Sequence, residues 1–147
     1  MKIVIVSGYF NPVHVGHIRM LKSAKAMGDL VCVIINNDIQ QVLKKGKIIM
    51  DEDERVEIVK ALKYVDMVYL AEDTDRTVCK TLLKIAEQFS EQGYEIIFAN
   101  GGDRNCSRRV PETTICEHYN IKMIFDCGGI EKLNSSSNIN KLLGVEI

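Results

Sequence analysis

The sequence predicts an α/β domain built on one doubly wound, parallel sheet of five strands. Apolar runs without polar alternation recur along the chain, which is typical of strands buried on both faces. Segments with apolar residues at helical spacing lie between those runs. Right-handed crossovers between such strands give the spatial order 3-2-1-4-5. At 147 residues the chain is too short for an eight-unit barrel, so we expect a single domain over residues 1–147.

Each predicted strand is a short run of β-branched and other apolar residues. In order, the strands are expected at residues 3–6, 30–35, 67–70, 96–99 and 123–125. Three helices are predicted between them, because apolar side chains recur every three or four residues over 15–27, 52–63 and 76–90. A further short helix is expected to begin near Pro111, since proline suits the first turn of a helix.

The composition excludes several classes of protein. A net charge of −1, from 19 basic and 20 acidic residues, argues against a domain that neutralises a nucleic-acid backbone. No stretch of 18 apolar residues predicts a membrane span, and the first apolar run is too short for a signal peptide. The five cysteines form no Cys-x-x-Cys pair. We therefore expect a reduced, cytoplasmic protein with neither a nucleic-acid nor a membrane partner.

A zinc site can be imagined around Cys106, Cys116, His118 and Cys127, but the spacings match no standard ligand pattern. We therefore predict no metal site built from protein ligands. Cys32 lies inside a predicted strand and is expected to be a small core residue.

The predicted strand order places a ligand site. The chain changes direction between strands 1 and 4, and open α/β sheets bind ligands at the carboxyl ends of the strands on either side of such a point. The loops that follow Ser7 and Ala99 should therefore form the site.

The loop after Ser7 has the composition of a phosphate site. Residues 8–17 read Gly-Tyr-Phe-Asn-Pro-Val-His-Val-Gly-His, with His14 and His17 at a spacing that places them on one helical face. The start of the following helix should present unpaired amides and a partial positive charge, and Gly16 leaves room for a ligand. Two imidazoles there can donate hydrogen bonds to a phosphate that gains charge. The loop has neither the dinucleotide glycine fingerprint nor the Walker lysine.

Two other interpretations of the histidines stay open at this point. They could be solvent-facing residues at an ordinary helix start, or a His-x-x-His metal pair. No acidic or cysteine ligand is close in sequence, which argues against the metal pair.

Together with three later motifs, this loop resembles the signature of the cytidylyltransferase-like nucleotidyltransferases. Lys44-Lys45-Gly46-Lys47 matches the family's basic loop after strand 2. Asn100-Gly101-Gly102-Asp103-Arg104 resembles its Gly-x-Asp loop after strand 4, and residues 134–139, Asn-Ser-Ser-Ser-Asn-Ile, resemble its late serine/threonine motif. The sequence departs from the family at Asn11, where many cytidylyltransferases have aspartate, and at Asn134, where isoleucine is usual.

The resemblance implies a Rossmann-like fold and a set of site residues. The implied catalytic residues are His14, His17 and Lys44. For the acceptor it implies Lys47, Arg104 and Lys132. The implied nucleotide-binding residues are Gly8, Tyr9, Phe10, Asn11, Gly16, Gly101, Gly102, Asp103, Ser135, Ser136 and Ser137.

The implied reaction is transfer of a nucleoside monophosphate from a nucleoside triphosphate to a small phosphorylated acceptor, with release of pyrophosphate. Magnesium would bridge the triphosphate, with water and phosphate as most of its ligands. CTP is favoured over ATP, because length and layout are most similar to the glycerol-3-phosphate members of the family, and a homodimer is implied. The alternatives are an adenylyltransferase acting on a sugar phosphate or mononucleotide, a metal-dependent hydrolase, and a non-catalytic nucleotide-binding protein.

Two further residues are left outside the predicted site. Arg55 is expected to form an ion pair with Asp51 or Glu52 within its helix. Asp66, just before a strand, is expected to satisfy a turn or a subunit contact.

Overall fold

The computed structural model describes residues 1–75, 77–101 and 112–127. Helices and strands alternate along this part of the chain. In order, they are β1 (Lys2–Gly8), α1 (Val15–Met27), β2 (Leu30–Ile35), α2 (Asp38–Lys45), α3 (Glu52–Lys60), β3 (Met67–Leu70), α4 (Cys79–Glu91), β4 (Glu95–Gly101), α5 (Thr113–His118) and β5 (Lys122–Cys127).

The five strands form one parallel sheet in the order β3-β2-β1-β4-β5, which confirms the predicted order. β1 is the central strand: it pairs with β2, where Ile5 is opposite Cys32, and with β4, where Lys2 is opposite Glu95. Because all strands run the same way, the loops after β1, β2 and β4 meet at one edge of the sheet.

The sheet is covered on both faces, as the unbroken apolar strands predict. Ile3 and Ile5 of β1 point into a cluster packed under α4 and α5, whereas Val4 and Val6 point into a second cluster. The second cluster contains residues of α1 and α3 such as Leu21 and Val59. Cys32 is fully buried in the first cluster, which confirms its expected place in the core.

The helices differ from the prediction in three places. α3 ends at Lys60 rather than at residue 63. α4 begins at Cys79 rather than at residue 76, because the Asp73 carboxylate accepts the backbone amides of Lys80 and Thr81 and marks where the first turn starts. The short helix near Pro111 begins at Thr113.

Helix α2 is the largest departure from the prediction. Lys44-Lys45-Gly46-Lys47 was expected to be a basic loop, and no helix was predicted over 38–43. Instead, residues 38–45 form a helix that Asn37 caps and that ends at Gly46, which has the left-handed conformation (φ 78°). Its buried residues are Gln40 and Gln41, whereas Ile39 and Leu43 are exposed. In α2 the buried side chains are polar and the apolar side chains are exposed. The spacing of apolar residues therefore does not predict this helix.

Asp66, just before β3, accepts a hydrogen bond from the backbone of β2. Its Oδ2 accepts a hydrogen bond of 2.8 Å from the Val31 amide and one of 2.7 Å from Lys25 Nζ. The expected role in a turn is thus not what the contacts show, because Asp66 joins β2 and α1 instead. None of the described helices has the length and apolar character needed to cross a membrane.

Gly28, which follows α1, allows a close approach to the central strand. A Cβ at this position would lie 2.7 Å from Val4 Cγ2 and 3.2 Å from the Lys2 carbonyl oxygen. Val4 is fully buried and cannot give way, so Gly28→Ala is expected to lower the free energy of unfolding by about 1–3 kcal/mol. Urea denaturation measures this, with the exposed Ala26→Ser as the control. Equal midpoints for the two variants would contradict the prediction.

Candidate functional site

The loop that joins β1 to α1, residues 9–14, lies at the carboxyl edge of the sheet and is called the first loop below. Phe10 anchors it: the side chain is 1% exposed and packs in the core cluster that contains Val4 and Val6. The Phe10 backbone has φ 52°, in the left-handed region that non-glycine residues rarely adopt. Gly8 makes room for the Phe10 ring, because a Cβ there would lie 3.1 Å from Phe10 Cε2.

His14 and His17 cap the start of α1 reciprocally. The His14 Nδ1 atom accepts a hydrogen bond of 3.1 Å from the Gly16 amide, and His17 Nδ1 accepts one of 3.1 Å from the His14 amide. This is the geometry of a capping box, with two imidazoles in place of the usual hydroxyl and carboxylate. The ring centroids are 4.0 Å apart, and the His17 ring also packs 4.6 Å from that of Phe10.

The reciprocal cap fixes which nitrogen of each ring carries the proton. A neutral imidazole whose Nδ1 accepts a hydrogen bond has its hydrogen on Nε2. Both histidines are therefore held as Nε2–H donors. A ring with Nε2–H and an occupied Nδ1 has no lone pair for a metal, so this geometry argues against the His-x-x-His metal pair. In the part of the chain that the structure describes, no three His, Cys, Asp or Glu side chains gather as a metal site.

The structure changes the expectation for the helix amides. The Gly16 amide was expected to be available to phosphate, but it donates to His14 Nδ1, and the His17 amide donates to the His14 carbonyl oxygen at 3.0 Å. These amides are used inside the first turn of α1. The side-chain donors at this helix start are the Nε2–H groups of the two rings, which lie at the end of α1 that carries the partial positive charge of the helix.

His17 is held in its neutral form. Burial, and then the neighbouring His14, lower the pKa of His17 from 6.5 to about 3. At neutral pH the ring is thus an uncharged hydrogen-bond donor rather than a cation.

Lys44 lies in the last turn of α2 and contacts the first loop. Its Nζ atom is 4.4 Å from the centroid of the Tyr9 ring, within the range of a cation–π interaction. The Tyr9 hydroxyl in turn donates to the Gln40 carbonyl oxygen at 3.3 Å. The structure therefore brings Lys44 to the same edge of the sheet as the first loop. Lys47 lies beyond the end of α2 and is exposed.

Asn11 holds the first loop to α2 and to the segment that precedes α3. Its Nδ2 donates to Gln41 Oε1 at 2.5 Å, and its Oδ1 accepts from the Met50 amide at 3.1 Å. The side chain is 3% exposed. The described contacts of this side chain join parts of the protein to each other. Its contact with a nucleotide stays a prediction.

Arg55 was not predicted to lie near the site, and its expected ion pair with Asp51 or Glu52 is wrong. The side chain is fully buried, and its Nη2 forms an ion pair of 3.1 Å with Asp38 at the start of α2. Its other donors reach the backbone oxygens of Tyr9, Asn36 and Met50. An arginine beside a run of acidic residues is typical of a surface ion pair, which is why the burial of Arg55 was not predicted. The one sequence signal for a polar interior here is the amide-rich stretch Asn36-Asn37 and Gln40-Gln41, whose side chains are buried.

The second predicted loop is described only at its beginning. β4 ends at Gly101, next to β1 in the sheet and at the same edge as the first loop. The remaining predicted residues lie outside the described part of the chain, namely Gly102, Asp103, Arg104, Lys132, Ser135, Ser136 and Ser137.

Comparison with known proteins identifies related sequences over most of the chain. A family model described as cytidylyltransferase-like matches residues 5–121. An FAD synthase from Thermoplasma acidophilum is 30% identical over 139 residues, which cover 94% of this chain and 91% of that protein. An FAD synthase from Ferroglobus placidus is 38% identical over 95 residues, 65% of this chain, and this match spans only 60% of that protein's length.

The fold also matches a solved structure. A protein from Thermoplasma volcanium, described as a lipopolysaccharide core biosynthesis protein, superimposes with a TM-score of 0.66 at 25% identity. The match covers 91% of this chain and 99% of that one.

Proposed function

The chain belongs to the cytidylyltransferase-like family, and from that premise we propose that it is a nucleotidyltransferase that joins a nucleoside monophosphate to a small phosphorylated acceptor. The family match agrees with the resemblance seen in the sequence. The observation that carries the proposal is the pair of imidazoles locked as neutral Nε2–H donors at a helix start. Neutral donors held in place can stabilise a phosphate that gains negative charge in the transition state.

In the proposed reaction an oxygen of the acceptor phosphate attacks the α-phosphorus of the triphosphate. A P–O bond forms there, the bond from the α-phosphorus to the bridging oxygen of the β-phosphate breaks, and pyrophosphate leaves with that electron pair. His14 and His17 donate to the non-bridging oxygens of the α-phosphate. Because no covalent enzyme intermediate is needed, positioning and charge stabilisation supply the rate.

Lys44 supplies the positive charge of the proposed site. It lies in the last turn of α2, and the Tyr9 ring lies beneath its ammonium group. In this position the ammonium group can meet phosphate oxygens that extend from the histidines towards α2. The other described candidates for ligand contacts are Lys47, Gly101 at the end of β4, and the predicted nucleotide-binding residues Gly8, Tyr9, Phe10, Asn11 and Gly16.

Magnesium is compatible with this arrangement only as a partner of the nucleotide. Both Nδ1 atoms of the histidine pair are occupied by backbone amides, and magnesium prefers oxygen ligands. The ion would therefore be bound by the triphosphate and water, and its chemistry would be to neutralise phosphate charge.

The proposal also names a nucleotide and an acceptor. Layout favours CTP, whereas relatives named FAD synthase favour ATP, with flavin mononucleotide as the acceptor. We take ATP with flavin mononucleotide as the first pair to test, and CTP with glycerol 3-phosphate as the second. The homodimer implied by the resemblance and the cytoplasmic setting stay predictions.

The proposal is tested by a pyrophosphate-release screen. ATP, CTP, GTP and UTP are each offered with flavin mononucleotide, alcohol phosphates, sugar phosphates and mononucleotides, with and without magnesium. We expect release that requires both a nucleotide and an acceptor, with a product carrying the nucleoside monophosphate by mass spectrometry. Nucleotide binding without release in any combination would instead favour the non-catalytic nucleotide-binding alternative. Release without an acceptor would indicate a hydrolase.

Replacing Lys44 tests its assignment to the triphosphate. Lys44→Ala is expected to weaken nucleotide binding by about 1.5–3 kcal/mol, or roughly tenfold to more than a hundredfold, because it removes a charge-assisted contact with phosphate. Calorimetric titration with the active nucleotide measures this. Lys60→Ala is the matched control, since Lys60 is exposed in the last turn of α3. If acceptor affinity drops while nucleotide affinity is unchanged, Lys44 belongs to the acceptor site instead.

A further inference from the structure

The guanidinium of Arg55 contacts the first loop, the residue after β2, the start of α2 and the segment that precedes α3. Nη1 donates to the Tyr9 carbonyl oxygen at 2.9 Å, in the first loop, and to the Asn36 carbonyl oxygen, just past β2. Nη2 pairs with Asp38, the first residue of α2. Nε donates at 2.9 Å to the Met50 carbonyl oxygen, and the Met50 amide donates back to Asn11 in the first loop.

We infer that Arg55 is a positioning residue that sets the location of the two histidines and of Lys44, an inference that rests on the proposed function. Its side chain is fully buried and touches neither histidine in the described contacts, so it acts through the backbone. It fixes Tyr9 O immediately before Phe10, the residue with φ 52°. That left-handed residue sets the direction in which the first loop continues to His14.

The same side chain couples the two halves of the site. Lys44 is carried by α2, and the N-terminus of α2 is bound to Arg55 through Asp38. The histidines are carried by the first loop, which is bound to Arg55 through Tyr9. One rigid group therefore sets the distance between the imidazole donors and the ammonium group, and small errors in that distance are costly to a positioned reaction.

Lysine cannot reproduce this arrangement. A guanidinium presents five N–H donors in a planar fork, whereas an ammonium is a compact charge on a flexible stem. Arg55→Lys therefore retains the positive charge opposite Asp38 but cannot hold Tyr9, Asn36, Asp38 and Met50 in their fixed directions. The matched control is Arg19→Lys, at an exposed position on α1.

The experiment measures turnover and ring geometry in the same folded samples. Pyrophosphate release is followed well below the melting temperature of each variant, and the fraction folded is set by circular dichroism. For Arg55→Lys we expect kcat to fall about tenfold to a hundredfold with a smaller change in KM, because the groups that act in the transition state are displaced. Arg19→Lys should match the parent protein in both constants.

The second measurement does not depend on activity. Nitrogen-15 NMR reports the tautomer of each imidazole, and the chain has three histidines, so His118 on α5 is an internal reference. In the parent protein His14 and His17 should both carry the proton on Nε2. In Arg55→Lys at least one of them should show a mixture of tautomers, while the signals of His118 stay unchanged.

The outcomes separate this inference from the proposed function. Parental kcat together with parental tautomers in folded Arg55→Lys would overturn the positioning role. If the parent protein releases no pyrophosphate with any pair, the proposed function fails, and the tautomers alone decide the inference. If Arg55→Lys does not fold, Asp38→Asn replaces it, because it keeps an oxygen acceptor but removes the charge that orients the guanidinium. Parental tautomers in folded Asp38→Asn would then overturn the inference.

Discussion

Replacing His14 or His17 with alanine is expected to lower kcat by about a hundredfold or more, the usual effect of losing one donor to a transition-state oxyanion. Each variant removes one Nε2–H donor. Alanine also removes an acceptor from the reciprocal cap, so part of the loss could reflect a displaced helix start rather than the missing donor. Variants that keep the cap separate the two effects.

The cap can be preserved without the imidazole. Asparagine is among the best N-cap residues, and glutamine is the usual third residue of a capping box. We therefore expect His14→Asn and His17→Gln to melt closer to the parent protein than the alanine variants do, yet to lose turnover to a similar extent. His118→Ala, remote from the loop on α5, should keep parental turnover. Parental kcat in either cap-preserving variant would remove that histidine from the catalytic role.

Acid is expected to destabilise the protein through His17. The pKa of His17 is about 3 in the folded protein against an ordinary value of 6.5, so between these pH values the unfolded chain binds a proton that the folded chain does not. The stability contributed by the neutral ring is fully present above pH 6.5 and is lost as the pH falls towards 3. The free energy of unfolding should decrease from this source by up to about 1.4 kcal/mol per pH unit.

The measurement is a series of urea denaturation curves between pH 7 and pH 4. His17→Gln keeps the expected capping interaction but has no titrating ring, so its stability should depend less on pH over this range. Carboxylates contribute equally to both proteins and cancel in the difference. An identical pH dependence for the two proteins would show that burial of His17 does not govern acid stability.

Most of the fold could be predicted because its elements follow the usual patterns. Unbroken apolar runs gave strands close to their observed positions, and α1 runs over the predicted residues 15–27 because its apolar face is turned towards the sheet. Right-handed crossovers between parallel strands then predicted the order β3-β2-β1-β4-β5, which the structure has. The first loop was identified as a site because the change of chain direction falls beside β1.

The polar interior beneath the site could not be predicted. Gln40, Gln41 and Arg55 belong to residue types that are usually exposed, and their hydrogen bonds to backbone and side-chain groups make their burial favourable. Many of those partners are brought together only by the fold, so no local sequence pattern predicts the burial. Helix α2 was missed for the same reason, because the side chains that it buries are polar.

The position of the histidines at the start of α1 was predicted, but their hydrogen bonds were not. The sequence places two histidines at the first turn of α1, but it does not show that each ring binds the backbone of the other's segment. From the residue types, both the imidazoles and the helix amides were expected to meet phosphate. The Gly16 and His17 amides are bound within the first turn of α1, which leaves the rings as the proposed phosphate donors.

The position of β1 has a consequence for how the chain is made. It is synthesised before the other four described strands, yet one of its two partners in the sheet, β4, follows only roughly 90 residues later, which corresponds to several seconds of synthesis. Until then the side of β1 that will meet Glu95–Phe98 has no strand to pair with, while Ile3–Val6 expose apolar side chains. A ribosome that pauses between β3 and β4 would prolong this state, so synonymous codons in that interval should affect the soluble yield more than codons beyond β5.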